Sequence, residues 1–206
     1  MTNIENLKKT AKKLRIHSLK MTTKAKSGHP TTCLSAAELI TCLFFHEMKY
    51  NTNDPQDWGN DEFVLSKGHA APILWAAYAE AGIIPVSKLM SLRKINSPLE
   101  GHPTPRMKWV KAATGSLGQG LSVGVGIAAA QKLGKSPART YVLMGDGECA
   151  EGSVWEAANS ASRIPTGPGG RSSSPRRADR PVSRSRGLSA HGLLLSIEEV
   201  PLDDVE

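Results

Sequence analysis

Arg139-Thr140-Tyr141-Val142-Leu143-Met144-Gly145-Asp146-Gly147-Glu148 decides how the rest of the chain is read. Tyr141 to Met144 is a short apolar run that reads as a buried strand. Gly145-Asp146-Gly147 breaks the strand and opens a turn, and a helical run from Ser153 to Ser162 follows. A carboxylate on a glycine-flanked turn beyond a strand suits a hard cation and a phosphate. The glycines let the backbone approach closely, and Asp146 offers an oxygen ligand. The same turn also serves as an ordinary loop with a solvated aspartate, so the case for chemistry depends on what lies upstream.

Upstream, Phe63-Val64-Leu65 repeats the layout. A short apolar run leads into Ser66-Lys67-Gly68-His69, then an alanine-rich helix to about Ala81 closed by Gly82. Polar residues at strand ends of an open α/β sheet are where ligands sit. Thr114-Gly115-Ser116-Leu117-Gly118-Gln119-Gly120 is a glycine-rich loop opening a helix from Leu121 to Leu133. Backbone N–H groups at such a helix start can hold a phosphate, or the glycines serve packing alone. His29, His69 and His102 each follow a glycine in a turn. One such histidine is ordinarily a surface or satisfied residue. Three of them beside a glycine-rich loop and Gly-Asp-Gly point to chemistry. Their spacing, and the lack of a cysteine pair, do not match zinc motifs.

Nearer the start, Thr2 to Glu5 has capping-box spacing. Ile4, Leu7, Ala11, Leu14, Ser18 and Met21 then share one face of a helix that Gly28 can stop, with a lysine-rich solvated face opposite. Leu34 to Met48 is apolar nearly all round and reads as a central helix. The polar N-terminus has no signal-peptide character. The longest apolar run, Leu121 to Ala130, is too short for a membrane span. Cys33, Cys42 and Cys149 form no C-x-x-C pair, which suggests a reducing, cytoplasmic setting. Residues 1–163 carry 20 Lys+Arg against 13 Asp+Glu, which accounts for the whole net charge of +7 and would suit an anionic substrate or nucleic acid.

Five motifs in order resemble the N-terminal, diphosphate-binding part of the transketolase family. They are Ser27-Gly28-His29-Pro30, Leu65-Ser66-Lys67-Gly68-His69-Ala70, Glu100-Gly101-His102-Pro103, the loop 114–120, and Gly145-Asp146-Gly147-Glu148-Cys149-Ala150-Glu151-Gly152. The resemblance covers about residues 5–163. It implies an α/β fold, a mostly parallel sheet with helices on both faces, incomplete at its C-terminal side. It implies thiamine diphosphate and Mg²⁺ as cofactors, and transfer of a two-carbon ketol unit from a ketose phosphate to an aldose phosphate. Asp146 would be the metal ligand, and Gly147 would meet the diphosphate. Gly115, Ser116 and Leu117 would line the cofactor, with Thr32 nearby. His69 would lie by the diphosphate and thiazolium. His29 and His102 would bond substrate oxygens, and Glu151 would lie at an interface between protomers. A homodimer or a complementary C-terminal chain is the implied partner.

The family pattern then breaks. Two regions are expected: a partial diphosphate-binding domain over 1–163 and a tail over 164–206. All 15 lysines precede residue 163, and residues 164–187 mix arginine with Pro, Ser and Gly. That composition predicts no ordered structure and matches a frameshifted, truncated or alternatively spliced end. The family's Asp-x-Asn segment, which brings a second side-chain metal ligand, has no counterpart. The chain is therefore expected to be inactive alone, with a cofactor-binding remnant or a dimerisation module as the alternative. An Arg/Ser tail that binds nucleic acid or is phosphorylated is the weaker alternative for the 164–187 stretch, because its basic blocks are short and lack interleaved aromatics.

Overall fold

The computed structural model describes residues 3–162 and, for the backbone, 193–197. The two apolar runs form neighbouring strands: β1 (Glu62–Leu65) pairs in parallel with β2 (Thr140–Met144), with Glu62 opposite Thr140 and Leu65 opposite Leu143. Side chains alternate across the sheet, and each face is covered by helices. On one face Leu65, Tyr141 and Leu143 join a core built from α1 (Ile4–Ala25), α2 (Pro30–Ser35), α3 (Ala37–Cys42) and α4 (Ala71–Glu80). On the other, Val64, Val142 and Met144 pack with Leu121 of α5 (Gln119–Leu133) and with Val154 and Ala157 of α6 (Gly152–Ala161). This is the α/β arrangement expected, a parallel strand pair between two helical layers.

Several boundaries differ from expectation. The N-cap of α1 is Asn3, whose side chain accepts from the Glu5 amide, and Lys26 rather than Gly28 takes the left-handed cap position. The helix expected over 34–48 begins earlier, because Pro30 fits a first helical turn. It is interrupted at Ala36 and ends in a π-helical turn, Leu43–Glu47. The largest difference lies in the tail. Leu193–Ile197 forms β3, antiparallel to β2, with Met144 opposite Leu193 and Thr140 opposite Ile197. This strand falls within the tail expected over 164–206, beyond the 164–187 stretch whose composition predicts no ordered structure. Leu193 to Leu195 is a short apolar run, and the edge of β2 offers unpaired backbone groups to it. The other expectations for 163–192 and 198–206 lie outside the described residues.

Candidate functional site

Because β1 and β2 are parallel, their C-terminal ends lie side by side. Ser66-Lys67-Gly68-His69 leaves one, and Gly145-Asp146-Gly147-Glu148 leaves the other. The glycine loop is stitched across them. The Thr114 hydroxyl donates to the Leu65 carbonyl at 2.7 Å, and Gly68 lies against the Thr114–Gly115 backbone so closely that a Cβ would sit 2.6 Å from the Thr114 oxygen. Gly118, at φ +83°, is the N-cap of α5, a conformation that suits glycine.

His29 caps α2, and its ring meets that of His69 edge-on, with centroids 5.2 Å apart. His102 lies against Gly115, where a Cβ would come 2.8 Å from the ring. The electrostatics tie the three together. Burial holds His69 below the ordinary imidazole range, and the charges of His29, Lys67 and His102 push it the same way, against Glu148. Burial also lowers His102, helped by Arg93 and His29. Asp146 and Gly147 are exposed, and among the described residues nothing beyond its two chain neighbours lies within 4 Å of where a Gly147 Cβ would be. Gly115 is half-buried, Ser116 and Leu117 are exposed on the loop, and Thr32 is half-buried in the first turn of α2. Glu151 packs beside Gly118. The residues singled out from sequence thus lie on the turns that follow β1 and β2, on the segment leading into α5, which bonds to the end of β1, and at the start of α2.

Two residues at the site received no role from the sequence. Lys67 is 1 % exposed; burial lowers its pKa, while Cys33, Asp146 and Glu148 work to keep it charged. Glu148, equally buried, accepts from the Ser66 hydroxyl and from the amides of Gly118 and Gly145. Both stand inside the quoted motifs, so adjacency to the glycines was the available signal. No group of three or more His, Cys, Asp or Glu side chains among the described residues could hold a metal by itself. Mg²⁺, however, is commonly held by one or two carboxylates plus phosphate and water. An exposed aspartate beside an open glycine backbone fits a metal–diphosphate pair of that kind.

Residues 6–167 match the family described as transketolase, thiamine diphosphate binding domain. The chain belongs to this family. It is 57 % identical to a transketolase of Pongo abelii over 155 residues, 75 % of this chain and 25 % of that one. The transketolase of Homo sapiens matches at 56 % over the same length. A Phocaeicola vulgatus protein, named as one of the subunits of an apulose-4-phosphate transketolase, is 41 % identical over 75 % of this chain and 55 % of its own length. Among solved structures, transketolase from Campylobacter jejuni superposes with a TM-score of 0.72 at 34 % identity, over 78 % of this chain and 26 % of that one. The chain thus spans about a quarter of the length of the full transketolases it matches. No helix among the described residues is long and apolar enough to cross a membrane.

The depressed imidazoles give this transketolase-family chain a predictable pH response. A histidine whose folded pKa lies below its unfolded value near 6.5 binds fewer protons when folded, so acid favours the unfolded state. Stability should be full above that value and fall as pH drops through it, levelling off below the folded pKa values. Melting temperatures measured from pH 7.5 down to 5.5 should decline, and the His69→Asn, His102→Asn double variant should flatten the decline. An equally steep curve in the double variant would show that other groups carry the effect.

Proposed function

We propose that this chain is a transketolase-type module that binds thiamine diphosphate with Mg²⁺, using Asp146 as metal ligand. The backbone at Gly147 and at Gly115, Ser116 and Leu117 lines the cofactor, with Thr32 at its edge. The observation that carries the reading is the gathering of His29, His69 and His102 with the Asp146 turn at the ends of two parallel strands. When bound, the cofactor supplies a thiazolium electron sink for moving a two-carbon ketol unit from a ketose phosphate to an aldose phosphate. The protein's share is positional and protonic. A neutral imidazole has one N–H to donate to an oxygen gaining charge and one ring nitrogen to accept a hydroxyl proton. His29 and His102 take these parts toward substrate oxygens, with His69 nearer the diphosphate.

In this reading residues 1–206 by themselves do not turn over substrate. A second copy or a complementary C-terminal chain is the proposed partner; the Phocaeicola vulgatus relative is itself named as a subunit. Three free cysteines fit a cytoplasmic setting. A non-catalytic, partner-binding role is the second reading, favoured by Leu117 and Trp155, 44 % and 67 % exposed on elements around the site. Calorimetry on the full chain should give saturable heat with thiamine diphosphate when Mg²⁺ is present, and no product should form from sugar phosphates. Absence of heat at millimolar cofactor would favour the second reading, and turnover by the purified chain would refute the incomplete-module reading.

A further inference from the structure

Glu148 stands apart from the exposed residues of the turn that carries it. Asp146 and Gly147 face solvent, whereas Glu148 is 1 % exposed. One carboxylate oxygen accepts from the Ser66 hydroxyl and from the Gly118 amide at 2.8 Å, and the other accepts from the Gly145 amide at 2.9 Å. The three donors belong to three segments: the turn after β1, the cap of α5 and the turn after β2. Gly118 is confined from the other side as well, since a Cβ there would meet Ser153 Oγ at 2.3 Å and Glu151 Cβ at 2.8 Å.

We propose that Glu148 is a positioning residue that fixes the glycine loop and the Asp146 turn relative to each other before any ligand arrives. A carboxylate suits this task because both of its oxygens accept. It takes up the amides of Gly118 and Gly145 and leaves the backbone of Gly115 to Leu117 and of Gly147 for a ligand. A glutamine cannot replace it, since its NH₂ would face a donor on one side. The importance of this fixing for cofactor binding rests on the function proposed above, so the test separates the two.

Amide hydrogen exchange in the ligand-free full chain reads the positioning directly. Glu148→Gln should speed exchange at Gly118 and Gly145 by about ten- to a hundredfold, while Val142 and Leu143 in β2 stay within about threefold of the parent. The affinity for thiamine diphosphate with Mg²⁺ should fall by about ten- to a hundredfold. Parallel acceleration of all four amides would reduce Glu148 to a general structural group and overturn the proposal, as would no change at Gly118 and Gly145. If Glu148→Gln does not fold, Ser66→Ala keeps the carboxylate and removes one donor. It should speed Gly118 by about three- to tenfold without moving β2, and an unchanged Gly118 would count against the proposal. If the parent chain shows no cofactor heat, the functional reading falls and the exchange pattern alone decides the role of Glu148.

Discussion

Asp146→Asn should abolish magnesium-dependent binding of thiamine diphosphate, with a loss of about a hundredfold or more in affinity, while the melting temperature stays within about 2 °C of the parent. The asymmetry follows from where Asp146 sits. Its side chain is exposed and makes no capping bond to the 3₁₀ turn Gly147–Ala150. That turn is held by other means, the backbone bond from Cys149 to the Asp146 carbonyl at 3.1 Å and the carboxylate of Glu148. Removing the charge therefore takes little from the fold. It replaces an anionic carboxylate with a neutral amide, whose single oxygen is a weaker ligand for a hard cation, and no cluster of three or more potential ligands among the described residues could substitute. Calorimetry of parent and variant at equal Mg²⁺ checks this. An unchanged dissociation constant would take Asp146 out of the metal site, and a collapsed fold would contradict its exposed position.

The parts of this site that local sequence encodes were legible from it. Apolar runs ending in glycine gave β1 and β2, and glycine-flanked histidines gave the imidazole cluster, because each signal lies within a few residues. What remained hidden depends on distant residues. Glu148 acquires its role from Ser66, 82 positions away, and from Gly118, 30 away. A lysine beside a glycine turn reads as solvated, yet Lys67 is buried, with the distant Cys33, Asp146 and Glu148 working to keep it charged. The break in the second helix at Ala36 left no trace in an apolar pattern that continues unbroken. β3 was obscured by the stretch before it, where Arg, Pro, Gly and Ser outweigh the five residues that pair with β2.

Gly68→Ala should destabilise the chain by about 3 kcal/mol, a fall of roughly 6–12 °C in melting temperature, and should weaken cofactor binding at the same time. The added methyl would lie 2.6 Å from the Thr114 carbonyl oxygen, 2.7 Å from its carbon and 2.8 Å from the Gly115 nitrogen. All three are backbone atoms, so no side chain can rotate away to make room. Nor can the loop retreat freely. Thr114 donates its hydroxyl to Leu65 and its amide to Pro103, and Gly118 is tied to Glu148. Any shift that relieves the clash strains these bonds and draws Gly115 away from the ring of His102, against which it packs. Stability and binding should therefore fall together, unlike at Asp146. Gly147→Ala provides the contrast. Among the described residues nothing beyond its two chain neighbours lies within 4 Å of its Cβ position, so its melting temperature should stay close to the parent's, and any loss of affinity would report the ligand's approach to the backbone. A Gly68→Ala chain that melts with the parent and binds equally well would mean that the loop does not rest on the turn after β1, and the site as built would have to be abandoned.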